Sequence, residues 1–106
     1  MSEEINKRII ELARQDKVLG STIRLSIMTL LYLNGKMKFT DLKNILKLTS
    51  GNLSTHLKKL KDSGYITIEK TFLSLKPVTL VILTKKGAEK LLEFYTKIKD
   101  IADALK

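Results

Sequence analysis

Leu53, Leu57 and Leu60 recur at the 4,3 spacing that places them on one stripe of a 3.6-period helix. At about 100° per residue, the opposite face of the same segment collects Gly51, Asn52, Thr55, Lys58, Lys59 and Asp62, with no large apolar side chain among them. A segment built this way must bury the leucines and turn the other face outward. Just before it, Leu42, Ile45 and Leu46 give a second, shorter apolar face, with Thr40 as the expected N-cap and Asp41 suited to the positive helix end. Leu48 is expected to enter the core across the intervening turn, and Thr49 or Ser50 to cap the second helix. Residues 39–64 therefore read as two short helices around a tight turn, a helix-turn-helix.

The outward face of the second helix has the chemistry needed to lie in a DNA major groove. Small residues let the backbone approach, Asn and Thr reach base edges, and Lys finds phosphates. A capping hydroxyl beside free N–H groups also makes a phosphate site at the helix start. Entry N-terminus first puts Ser50, Gly51, Asn52 and Thr55 nearest the bases, and the expected DNA-binding set adds Thr49, Ser54, Lys58 and Lys59.

Charge supports a polyanionic partner. The net charge is +9, yet residues 1–16 hold three basic and four acidic side chains, so residues 17–106 carry +10. The lysines are spread over several segments, which argues against a membrane surface. There is no cysteine, and His56 is the sole histidine, so neither a thiolate nucleophile nor a Cys or His metal cluster is expected. No paired nucleophile and base or glycine-rich phosphate loop points to an enzyme, and no cofactor is implied. The start, MSEEINKRII, is mixed in charge and unlike a signal peptide, and no apolar run approaches the length of a membrane span. The expected location is cytoplasmic.

The remaining chain frames this motif within one domain, residues 1–106. Residues 3–16 read as a helix capped by Ser2, with a stripe of Ile5, Ile9 and Leu12 flanked by Ile10 and Ala13. Gly20 and Ser21 mark a break, and the mostly apolar residues 22–33 read as the central core helix, ended by Asn34 and Gly35. Arg24 in that helix has two readings, an ion pair or cap on a neighbouring carbonyl, or a phosphate contact. Residues 36–39 read as an extended link or a small edge strand. After Gly64, suited to left-handed backbone, residues 65–72 and 78–83 alternate as two strands joined by a loop that contains Pro77. Lys70 and Lys76 are expected on or near the tip of this hairpin, where they would meet the minor groove or its phosphates. Leu73 and Leu75 are unusual there and either pack back on the sheet or touch a partner. Thr84 caps a last helix, whose Ala88, Leu91, Tyr95, Ile98, Ala102 and Leu105 step as an a/d seam. Dimerisation through residues 85–106, with Ile5 and Ile9 of residues 1–19, is the expectation; the alternative is that the seam folds onto its own core.

The order of elements resembles that of winged-helix transcriptional regulators. STIRLSIMTLL, then FTDLKNILKLTSGNLSTHLKKLKDSGYITIEKTF, then LT-x-x-G at residues 83–87 are similar to the small winged-helix DNA-binding family related to the MarR and ArsR repressors, over roughly residues 20–95. The resemblance implies an α+β, mainly helical fold with a two-stranded wing and a long C-terminal dimerisation helix. It implies a homodimer on double-stranded DNA, with residues 50–62 in the major groove and residues 65–83 at the minor groove. ArsR-type metal sensing is not implied, because its cysteine or clustered histidine ligands are missing. His56, at the edge of the leucine stripe, reads as a boundary residue hydrogen-bonded near the turn. MarR-type relatives often take a small aromatic effector, but nothing in this sequence specifies a pocket for one. The competing reading is a protein-interaction winged helix serving a transcription or RNA-processing assembly.

Overall fold

The computed structural model describes residues 2–106, with the side chain of Ser2 left out. The elements run α1 (Ser2–Ala13), α2 (Thr22–Asn34), β1 (Lys36–Lys38), α3 (Phe39–Leu46), α4 (Ser50–Asp62), β2 (Ile66–Leu73), β3 (Lys76–Leu83) and α5 (Lys85–Ala104). The cap expected from the Ser2 side chain lies outside the described residues. No helix among the described residues is long and apolar enough to cross a membrane.

The core gathers on α2, as its apolar run requires. Ile27, Met28 and Leu31 are fully buried and meet Leu42 of α3, Leu53, Leu57 and Leu60 of α4, Ile66 and Val81 of the sheet, and Leu91 and Phe94 of α5. Ser21 caps α2 by accepting from the Arg24 N–H at 3.3 Å, and Gly35 ends it at φ 79°. The sheet has three antiparallel strands in the order β1-β3-β2, so the extended link before α3 is an edge strand. The expected two-stranded wing is β2 and β3, which β1 extends at its base through Lys36↔Ile82 to Lys38↔Leu80.

That pairing corrects the expected start of α3. α3 begins at Phe39, directly after β1, and its N-cap is Lys38, so Thr40 lies inside the helix. A lysine side chain has no acceptor with which to cap; the pairing of β1, not a side-chain cap, fixes where α3 starts. Ile45 is exposed, so the apolar face of α3 narrows to Leu42, with Leu46 half-buried. The hairpin is also longer than expected. Pro77 is within β3, opposite Phe72, and the turn is just Ser74 and Leu75.

The stripe that α5 buries in its own chain is distinct from the seam expected at a subunit contact and shares only Leu91 with it. This inward stripe is Gly87, Leu91 and Phe94, one residue out of step with Ala88 and Tyr95. Gly87 is where α5 crosses the start of β2; a Cβ built there would lie 2.2 Å from the Tyr65 carbonyl oxygen. Thr84 locks the crossing. Its Oγ1 accepts from the Gly87 N–H at 3.0 Å and donates to the Gly64 carbonyl at 2.7 Å, while its own N–H donates to the Tyr65 carbonyl at 3.1 Å. The Tyr65 hydroxyl donates to Asp16, whose other oxygen accepts from the Val18 N–H, so the α1–α2 loop is tied to the end of α4.

Candidate nucleic-acid interface

The turn between α3 and α4 is set by backbone hydrogen bonds. Leu48 N–H donates to the Lys43 carbonyl at 3.0 Å and Lys47 N–H to the Asn44 carbonyl at 3.3 Å, a Schellman ending for α3. It forces Lys47 into left-handed backbone at φ 53°, a conformation that costs a residue other than glycine about 1–2 kcal/mol. Thr49 then caps α4 by accepting from the Asn52 N–H at 3.1 Å. At the far end the same ending recurs with Gly64 at φ 77°: Tyr65 N–H reaches the Leu60 carbonyl at 3.0 Å and Gly64 N–H the Lys61 carbonyl at 2.9 Å. α4 is thus bounded at both ends, with its three leucines buried and its outer face fixed.

Thr49, Ser50, Gly51, Asn52, Ser54, Thr55, Lys58 and Lys59 occupy the outer side of this unit, and all are exposed. Thr55 Oγ1 donates to the Gly51 carbonyl at 3.0 Å, which leaves its oxygen an acceptor toward the outside. Lys58 Nζ pairs with Asp62 at 2.8 Å on the surface; exposed i,i+4 pairs are worth about 0.3–0.5 kcal/mol, so this one holds Lys58 only weakly.

One side of α4 looks across a groove of about 570 Å³ to the sheet. Ser54, Lys58, Lys61 and Asp62 line it from the helix, Lys70 and Thr79 from the strands, and Phe39, Leu57 and Ile68 line its apolar part. The structure therefore brings Lys70 beside Ser54 and Lys58, in the body of the wing and not at its tip. Lys76 alone flanks the turn, opposite Leu73. Lys61 was missed by sequence reasoning, although its place seven residues after Ser54 and three after Lys58 puts it on their stripe.

Arg24 is occupied by its own chain. Its Nε donates to the Val18 carbonyl at 2.7 Å, Nη2 to the Lys17 carbonyl at 3.4 Å, and Nη1 lies 3.2 Å from Nδ1 of His56. Its side chain caps neighbouring carbonyls, the first of the two readings. His56 is hydrogen-bonded to the start of α2 and not near the helix-turn-helix turn. Burial, then the charges of Arg24 and Lys59, hold the His56 pKa below the usual histidine value.

Of the residues expected at a subunit contact, Ile9, Tyr95, Ile98 and Leu105 are exposed, as is Ala102, and Ile5 is half-buried. Leu91 is not available: it is 2% exposed and belongs to the chain's own core. Leu92, unassigned from sequence, and Ile10, which flanks the α1 stripe, are exposed on the same two helices.

A family model described as winged helix DNA-binding domain matches residues 23–102. The chain belongs to this family. An uncharacterized protein from Methanocaldococcus jannaschii is 38% identical to the winged-helix chain over 71 residues, covering 67% of it and 77% of that relative. The structure of a transcriptional regulator homologue from Pyrococcus horikoshii superposes with a TM-score of 0.88 at 30% identity, over 94% of this chain and 98% of that one. A mutant MarR from E. coli complexed with operator DNA shares the fold, with a TM-score of 0.72 at 18% identity, over 98% of this chain and 73% of that one. Within this winged-helix DNA-binding domain, α3 and α4 are the helix-turn-helix and β2 and β3 the wing. Family and fold are those of transcriptional regulators.

Proposed function

We propose that this winged-helix domain is a cytoplasmic, sequence-specific regulator that binds double-stranded DNA as a homodimer. α4 enters the major groove and the wing meets the minor groove. The observation that carries the reading is the outer face of α4, where Gly51, Asn52 and Thr55 stand beside the exposed Lys58 and Lys59 on a helix whose leucines are locked in the core. Asn52 has donors and acceptors for an adenine edge, and Thr55 retains an acceptor for a base amino group. Lys58, Lys61 and Lys70 surround the groove between helix and wing and neutralise a phosphate strand running along it. The second copy covers the exposed apolar residues of α1 and α5, chiefly Ile9, Leu92, Tyr95, Ile98 and Leu105.

The test is enrichment of duplexes from a randomised pool by the purified protein, followed by footprinting of the enriched duplex. The expected result is an inverted repeat with half-sites about one helical turn apart, roughly 34 Å. An enriched site without two-fold symmetry contradicts the homodimer, and a pool that does not converge contradicts sequence specificity.

A further inference from the structure

The wing turn has a backbone that its residues resist. Ser74 and Leu75 lie at φ 50° and 66°. A two-residue hairpin with both central residues at positive φ suits Asn-Gly and strains a leucine. Leu75 gains nothing inside the chain to offset that strain, since its side chain is 96% exposed. Phe72, two residues before the turn, is 70% exposed. Such side chains on a strained, projecting turn fit a partner outside the chain.

The register says what that partner is. Lys70 and Thr79 are the cross-strand pair that lines the groove beside α4, and the turn lies beyond three further pairs, Thr71↔Val78, Phe72↔Pro77 and Leu73↔Lys76. At about 3.4 Å per pair, Leu75 projects roughly 10 Å past the flank of α4. With α4 in a major groove, that reach crosses one phosphate backbone to the adjacent minor groove, about 6 Å wide. By strand alternation Phe72 and Pro77 share the face of Lys70. Residues 70–79 contain Lys70 and Lys76 and no acidic residue, which matches a polyanion.

We infer that Leu75 is an apolar wedge that enters the minor groove and parts a base step, with the Phe72–Pro77 pair lying against the sugar–phosphate wall. The wing then determines specificity through deformability. It favours pyrimidine–purine steps, which unstack easily, at a fixed distance from the bases that α4 meets. This inference rests on the DNA-binding reading above.

The test uses the enriched duplex with 2-aminopurine placed in turn at each flanking position, together with a shuffled duplex. The wild-type protein should raise the emission severalfold at one step in each flank. Leu75→Asn, which tolerates left-handed backbone, should leave emission flat and lose about tenfold affinity for the enriched duplex while matching wild type on the shuffled one. Leu75→Met should keep both the emission rise and the affinity. Specific binding by the wild type with flat emission, or equal affinity of Leu75→Asn and wild type, overturns the wedge and leaves the α4 reading standing. Equal binding of enriched and shuffled duplexes by the wild type overturns both.

Discussion

The Arg24 guanidinium donates from Nη1 to Nδ1 of His56 across 3.2 Å, joining the start of α2 to the middle of α4. Arginine has donors only, so Nδ1 must be the acceptor and the imidazole proton sits on Nε2. A second proton would remove that acceptor and set two cations side by side.

Stability should therefore fall in mild acid. The His56 pKa is held below its ordinary 6.5 by burial and by the charges of Arg24 and Lys59. The unfolded chain takes up its proton first, so the contribution of neutral His56 is complete above about pH 6.5 and is lost as pH falls through the lower folded pKa. Urea midpoints measured between about pH 5 and 8 should decline below that point in the wild type. The decline should be shallower in His56→Gln; equal slopes in the two proteins would contradict the assignment.

Gly87→Ala should destabilise the fold strongly. The added methyl would meet the Tyr65 carbonyl oxygen at 2.2 Å and its carbon at 3.0 Å, and that carbonyl is held by the Thr84 N–H. A clash against backbone forces α5 away from β2, at a cost of about 1–3 kcal/mol or more. The gain in helix propensity, about 1 kcal/mol, offsets only part of it. Denaturant unfolding would show the destabilisation; a variant as stable as wild type would remove Gly87 from its place at the crossing.

Asn52→Ala combined with Thr55→Ala should reduce discrimination more than affinity. Removing a hydrogen bond to a base edge costs about 1–3 kcal/mol against the enriched duplex and little against a shuffled one. Lys59→Ala should weaken binding to both duplexes alike and lower the salt slope by about one unit. Competition binding at two salt concentrations separates these patterns. An unchanged specific-to-nonspecific ratio in the double variant would show that this face does not read sequence.

Ile98→Glu should convert a dimer to a monomer. Ile98 is exposed on α5 between Tyr95 and Leu105, in the apolar strip assigned to the second copy. Burying two glutamates there, one from each copy, is costly. Sedimentation should give a single folded chain of 12.0 kDa for the variant. A variant that stays dimeric would move the interface off this strip.

The reach of the sequence follows the range of the interactions involved. α4 was legible because its leucine period, its Thr49 cap and its Gly64 stop all lie within 16 residues of chain. The Thr84 cap was legible for the same reason. Phe39 could not be seen to start α3, because the start is fixed by β1 pairing with β3, more than 40 residues away. The inward stripe of α5 was not legible because Gly87 carries no hydrophobic signal and its burial comes from the Tyr65 carbonyl. Lys70 was placed at the tip because the length of the hairpin depends on the pairing of Leu73 with Lys76, which composition does not reveal. Among the candidate interface residues, Thr49 to Lys59 were readable from the turn and one helix, whereas Lys61, on the same helix, is singled out by Lys70 across the groove.

The most direct measurement is fluorescence anisotropy of the wild-type protein on the enriched duplex and its shuffled counterpart, each at two salt concentrations. The predicted result is tighter binding to the enriched duplex by about 10³-fold or more, with both affinities falling steeply as salt rises. Equal, salt-sensitive binding to both duplexes would contradict sequence-specific regulation, and no binding at low salt would contradict a DNA-facing role for α4 altogether.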